Sequence, residues 1–335
     1  MESQYPESFA AWRRPGEEWQ YVEGLTFADG CLHGDGVCIA PWNHTIGVPD
    51  DDAFGHAVEQ VSTPRSEYLE SVAAVAARAA ARGGKTVIAR CICGEFKSAP
   101  GKELIESYFK PFGCAFCFIF RHPDTGWWMG ASPELVAVER PEGGVLTRAL
   151  AGTRAAHTEA PWDYKNLEEH RWVVEDICTR AAAARAKAGD AGLSRRDRAE
   201  AGGGTSIEGA VEIEPLEPRA LIYRNIEHLC TPIVVHGIDV NTLASAIYPT
   251  PAVAGFPLSD AIEDINTFES RPRRFYAGLF STPGTVYAML RCVNFDSRHW
   301  CVYSGSGITP LSNPAEEWAE TEAKALPLVS ILNQY

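Results

Sequence analysis

Several acidic and basic residues in this 335-residue chain have types and spacings that could do chemistry. Glu169 lies three, four and eight positions before Trp172, Val173 and Ile177, so on a helix its carboxylate falls on the apolar, inward stripe. A carboxylate there needs a partner, either a cation in an ion pair or a metal. Near the carboxyl end, Glu317, Glu320 and Lys324 share one helical face, opposite Trp318, Thr321, Ala325 and Val329. Taken alone that face is a solvated one, held by the Glu320 to Lys324 pair at i, i+4. Magnesium takes a few carboxylates, waters and a ligand anion, so Glu169 with Glu317 or Glu320 would suit it. Lys85 opens an alternating apolar run to Cys93 and shares a face with Val87, Ala89 and Cys91, an unusual place for a cation.

Other candidates are weaker. The ten cysteines are read as reduced thiols, because the amino terminus carries Glu2 and Glu7 and no export signal. Cys114 and Cys117 have CxxC spacing but sit in an apolar run without a second pair, so buried strand cysteines are expected, as for Cys91 and Cys93. Four short segments are turn-like: Ser132-Pro133-Glu134 after Gly130, Leu150-Ala151-Gly152-Thr153, the Pro249 to Pro257 run, and Gly305-Ser306-Gly307-Ile308. Their glycines permit close approach of a ligand, yet each alone says little, and the Gly-Ser-Gly is no P-loop.

The elements that must position these residues follow from periodicity. A helix is expected over 66–82, stopped by Gly83-Gly84, and then a strand over 85–93. Further strands are expected at 114–121, 127–129, 135–139 and 145–150, followed by a long helix over about 165–187. The stretch 188–209 turns to Gly, Ser, Arg, Asp and Glu and reads as a flexible insertion. Beyond it come a buried or amphipathic segment near 222–230, helices near 240–246 and 257–266, and strands at 285–293 and 299–304. In the last helix Asn313 is the cap, Pro314 the first helical residue and Glu316 completes a capping-box spacing. The mix favours an α+β architecture of large, mostly antiparallel sheets flanked by helices, with a hint of two similar halves.

Composition bounds the function. With 45% hydrophobic and 22% charged residues the chain has a globular composition. A formal charge of −14 without a long basic run argues against nucleic acid, and any anionic ligand must be held by individually placed cations. No apolar stretch is long enough to span a membrane, so a cytoplasmic protein is expected.

The order of the motifs resembles the chorismate-utilising family of isochorismate synthases, salicylate synthases and the large subunits of anthranilate and aminodeoxychorismate synthases. The match runs from about residue 80 to the end. It includes Lys85 to Arg90, the Ser-Pro-Glu and Leu-Ala-Gly-Thr segments, Lys165 to His170, His228 to Ile233, the Pro249 to Pro257 run, Tyr276-Ala277-Gly278, Leu290-Arg291-Cys292 and Glu317 to Thr321. The chain departs from the pattern at Tyr248, Pro272 and Arg274, and at Pro327, which is expected to interrupt the last helix.

The resemblance implies a fold like that of anthranilate synthase component I, as one chorismate-binding domain over 1–335 with a shortened amino-terminal part over about 1–60. It implies Mg2+ held by Glu169 and Glu320 with Glu317 close by, and Arg291 and Lys324 anchoring the carboxylates of chorismate. Gly152, Thr153 and Gly305 would contact the substrate. Lys85 matches the general base of water-adding members, where ammonia-using members have glutamine, and Glu134 matches the general acid for the departing C4 hydroxyl. A base must be a neutral amine, which an apolar strand face or a neighbouring cation would favour. Ala252 matches isochorismate synthases, whereas Tyr276 is compatible also with members that eliminate pyruvate. The implied activity is isochorismate synthase, an isomerase acting as a monomer without an amidotransferase partner; salicylate synthase and an ammonia-using enzyme are the alternatives.

Overall fold

Lys85–Glu95 alternates through two buried faces, because layers pack on both sides of it: Lys85, Val87 and Cys91 are buried, and so are Thr86, Ile88 and Arg90. It is the second strand of an eight-stranded sheet, between Gly255–Phe256 and His299–Ile308. Then follow Cys292–Phe295, Gly126–Ser132, Phe116–His122, Phe9–Arg13 and Gln20–Glu23. Every pairing in this sheet is antiparallel. The computed structural model describes residues 5–47, 57–192, 212–223 and 226–335. The chain divides into two compact units, and the eight-stranded sheet lies wholly in the first, made of 1–134, 253–283 and 287–335.

Helices Arg65–Arg82, Lys102–Phe109 and Pro314–Leu332 cover one side of that sheet. Tyr68, Val72 and Val75 meet Ile88 and Ile308, while Leu104, Tyr108, Ala325, Leu328 and Leu332 meet the far strands. On the other side Phe116 meets Phe280 of the strand Leu279–Thr282 edge-on and Phe118 meets it tilted, with centroids 5.3 and 5.8 Å apart. Within this unit that strand is followed by Val37–Ala40, Cys31–Gly34 and Thr26–Ala28, again antiparallel.

The second unit comprises 135–252 and 284–286. Its backbone is the long pairing of Val145–Ala155 with Ile226–Val235, extended by Leu135–Glu139 on one side and by Ile213–Pro215 and Arg219–Tyr223 on the other. The helix Tyr164–Gly192 lies on it through buried Val173 and Ile177, and the helix Val240–Ile247, capped by the Asp239 side chain, completes the unit.

Several expectations are corrected. The strand expected over 285–293 is two, Thr285–Ala288 and Cys292–Phe295, because Arg291 turns the chain in the left-handed region at φ 48°. Pro327 does not interrupt the last helix, which continues to Leu332. Its missing N–H removes one rung, but burial of Ala325, Leu328 and Leu332 keeps the helix seated. Asn313 caps that helix as expected, accepting from Ala315 N at 2.9 Å and Glu316 N at 3.4 Å. Cys117 and Cys91 are buried strand cysteines, whereas Cys114 is exposed and precedes the strand. Most of the insertion expected at 188–209 lies outside the described residues, and 188–192 still belong to the helix.

Candidate functional site

In the first unit Lys85 is 3% exposed at the start of its strand, opposite Phe256. The next pair brings Gly255 so close that a Cβ there would lie 2.2 Å from the Lys85 carbonyl, so only glycine fits. A buried ion pair fastens this corner. Arg273 pairs with Glu269 at 2.6 Å and donates to the carbonyls of Val253 at 2.7 Å and Val87 at 2.8 Å. Glu269 in turn accepts from the Ala89 N–H at 2.8 Å, so one pair ties the Val253 backbone to the Lys85 strand. Sequence reasoning missed both residues, since their i, i+4 spacing looks like any surface pair.

Four residues later in the same strand Ala89 pairs with Gly305, and a second group assembles there. A Cβ on Gly305 would lie 3.0 Å from the Tyr276 hydroxyl, and the Tyr276 ring stacks on Tyr303 at 5.7 Å. Burial pushes the Tyr276 phenol above its ordinary value, so it remains a neutral hydroxyl. Lys324 donates to the Gly305 carbonyl at 2.9 Å and pairs with Glu320 at 2.7 Å. Glu317 lies one turn earlier on the same helix and is 2% exposed. Burial first, and then the charges of Glu317 and Glu320, push the Tyr68 phenol up; its hydroxyl meets Ser306 at 2.9 Å. Thus Tyr276, Gly305, Lys324, Glu320 and Glu317 are grouped. Two carboxylates one turn apart, one buried and one half-buried, are hard oxygen donors of the kind that hold Mg2+.

Glu134 is not a surface strand carboxylate, being 2% exposed. Its carbonyl accepts from Ala288 N at 3.0 Å and its N–H donates to Ser132 Oγ at 3.2 Å, while Ser132 donates to the Ala288 carbonyl at 2.5 Å. The Ser-Pro-Glu turn is thereby clamped to the segment that leads into Arg291. The Arg291 carbonyl accepts from the Tyr108 hydroxyl at 3.0 Å and from Ala131 N at 3.3 Å. Backbone and hydroxyl bonds together therefore hold the chain at both Glu134 and Arg291.

In the second unit Gly152 has φ 78° and sits at a register shift between Ala151 and Thr153, so its backbone leaves the ladder. Thr153 N donates to Asn166 Oδ1 at 2.9 Å, and Thr153 Oγ1 meets His228 at 2.9 Å. Asn166 stands one helical turn before Glu169, which is half-buried at the edge of the inward stripe; the stripe itself is His170, Val173 and Ile177. His170 meets Thr231 at 2.7 Å. Ala252 is half-buried in a turn, and Arg180 holds the backbone before it through the carbonyls of Ala246, Tyr248 and Pro249 at 3.0, 3.1 and 2.8 Å. Replacing Gly152 by alanine is expected to cost about 1–2 kcal/mol from the left-handed backbone alone. The new Cβ would also lie 3.2 Å from Asn166. Urea unfolding measures the stability, and an unchanged midpoint would contradict the assignment.

The architecture is that of a large α+β protein whose antiparallel sheets carry glycine-permitted approaches beside paired cations and carboxylates. Two sequence models, each described as chorismate binding enzyme, match residues 45–189 and 207–333. The isochorismate synthase MenF of Haemophilus influenzae is 30% identical over 242 residues, which are 68% of this chain and 51% of that protein. MenF of Pasteurella multocida is 29% identical over 267 residues, 73% of this chain and 56% of that one. A salicylate synthase of Mycolicibacterium paratuberculosis is 28% identical over 304 residues, 86% and 63% of the two chains. The chain spans about half the length of the MenF relatives. Among solved structures, MenF, the menaquinone-specific isochorismate synthase of Escherichia coli, superposes with a TM-score of 0.72 at 19% identity, covering 99% of this chain and 90% of that one. Anthranilate synthase component I of Streptococcus pneumoniae gives a TM-score of 0.61 at 18% identity, covering 87% and 64%. The fold is shared with these structures, and the chain belongs to the chorismate-binding enzymes.

Proposed function

We propose that the protein is a magnesium-dependent isochorismate synthase, which adds water at C2 of chorismate and releases the C4 hydroxyl. The observation that carries this reading is that Lys85 and Glu134, which match the base and acid of water-adding relatives, are both buried and both held by defined backbone bonds. In this reading Lys85 takes a proton from the water that forms the new C2–O bond. Glu134 gives a proton to the C4 oxygen, which leaves as water, so the ring gains and loses one water with no change of oxidation state. Arg291 and Lys324 bind the substrate carboxylates, the Gly152 and Gly305 backbones and Thr153 border the ring, and Tyr276 stays a neutral donor beside Gly305. Glu169, Glu317 and Glu320 are the carboxylates assigned to Mg2+. Bound there, the ion would neutralise a substrate carboxylate and polarise the ring.

Chorismate is the proposed organic partner, with no amidotransferase required, and a cytoplasmic monomer is the proposed working form. No helix among the described residues is long and apolar enough to cross a membrane. Salicylate synthase is the second reading, favoured by the 28% identical relative that aligns with 86% of this chain. Ala252, matching the isochorismate synthases, weighs against it. The deciding experiment is incubation with chorismate and Mg2+, with and without ammonium, followed by chromatography and mass determination. Isochorismate is expected in both, and none after chelation of the metal; salicylate, an aminated product or no turnover would each overturn the reading.

A further inference from the structure

The hairpin formed by Cys31–Gly34 and Val37–Ala40 carries three side chains that the chorismate reading does not use. A two-residue Asp35-Gly36 turn, with Gly36 at φ 68°, sets the register Leu32 opposite Ile39 and His33 opposite Cys38. Leu32 and Ile39, both 0% exposed, point into the core. Alternation then places Cys31, His33 and Cys38 together on the other face, and their ligand atoms all lie within 4.8 Å of one another. Cys31 is buried while His33 and Cys38 are half-buried, so an ion can reach the group from solvent.

We infer that Cys31, His33 and Cys38 form a binding site for a thiophilic divalent cation of the Zn2+ type, separate from the proposed Mg2+ carboxylates. Two sulfurs and an imidazole are soft and borderline donors, which suit tetrahedral Zn2+ and are poor ligands for Mg2+. Three protein ligands leave a fourth position for water or another small ligand. The imidazole is already oriented. Its Nε2 lies 3.2 Å from the Ala28 carbonyl, and a carbonyl can only accept, so Nε2 is the donor in that bond and the neutral ring offers Nδ1 as the ligand atom. Such a bond from the second ring nitrogen is the usual outer support of a metal-binding histidine.

The two thiols are free. Cys38 pairs with His33, so Cys31 is its diagonal neighbour on the same face. The hairpin is also stiff, because Thr26–Ala28 pairs on one side of it and Leu279–Thr282 on the other. A site on paired strands holds its ligand geometry better than one on a loop.

The test uses the full chain, stripped of metal under reducing conditions and titrated with Co2+ and then Zn2+. One equivalent of Co2+ is expected to produce thiolate charge-transfer and tetrahedral d–d absorption, which Zn2+ abolishes and excess Mg2+ does not. Cys31→Ser, Cys38→Ser and His33→Ala should each weaken Zn2+ by about 100-fold or more, while Cys114→Ser leaves it unchanged. His33→Ala removes a half-buried side chain, so its unchanged circular dichroism would separate ligand loss from misfolding. Absence of the charge-transfer band, equal affinity in all four variants, or a Cys31–Cys38 disulfide in the isolated protein would each overturn the inference. None of these readouts depends on chorismate turnover.

Discussion

Replacing Lys85 by glutamine is expected to remove water addition, lowering kcat by about 10²- to 10⁴-fold, the range that positioned general bases contribute. The substitution leaves a polar group of similar reach at a site that is 3% exposed, so the strand and its pairing with Phe256 should persist. What the amide cannot do is accept the proton of the attacking water. KM for chorismate should change little, because the carboxylate anchors assigned to Arg291 and Lys324 are untouched, and a loss in kcat alone marks an interaction made in the transition state. Steady-state rates with product chromatography, beside a thermal melt, measure this. Undiminished isochorismate formation in a folded variant would remove Lys85 from the mechanism. Assayed with ammonium, the variant also tests how far one side chain selects the nucleophile.

The periodic parts of this fold were legible because one physical cause dominates each. Alternation from Lys85 marks a strand, the alanine-rich 3.6-residue pattern marks the helix Arg65–Arg82, and Asn313-Pro314 marks a helix start, all three as found. The helix Lys102–Phe109 was missed, as it is short, follows Pro100-Gly101 and signals itself only through the i, i+4 pairs Leu104–Tyr108 and Ile105–Phe109. The break at Arg291 was invisible because nothing in Met289-Leu290-Arg291-Cys292 announces a positive φ.

The site divides in the same way. Glu317, Glu320 and Lys324 could be grouped from helical spacing, and the structure keeps them together with Gly305. The pair Glu269–Arg273, which holds Val253 and Val87, depends on burial that only the folded chain supplies. The cluster of Cys31, His33 and Cys38 depends on a hairpin register that Asp35-Gly36 encodes, a signal that a search for CxxC spacing passes over.

Replacing Glu134 by glutamine is expected to reduce kcat by about 10²- to 10⁴-fold, the second large effect. Glu134 is 2% exposed, and its own backbone bonds to Ala288 and Ser132 hold the chain there. An isosteric amide should therefore sit where the carboxyl sat, without disturbing the clamp to Ala288 or the approach to Arg291. It has no proton acidic enough to give to a departing hydroxyl, so C4–O cleavage loses its assistance while chorismate still binds. The sharp comparison is with a substrate analogue whose C4 substituent leaves without protonation: the variant should recover most of its rate with that compound, whereas Lys85→Gln should not. Equal losses on both substrates would mean that Glu134 shapes the cavity and does not transfer a proton. Recovery by both variants would move the base, as well as the acid, to the C4 side of the ring.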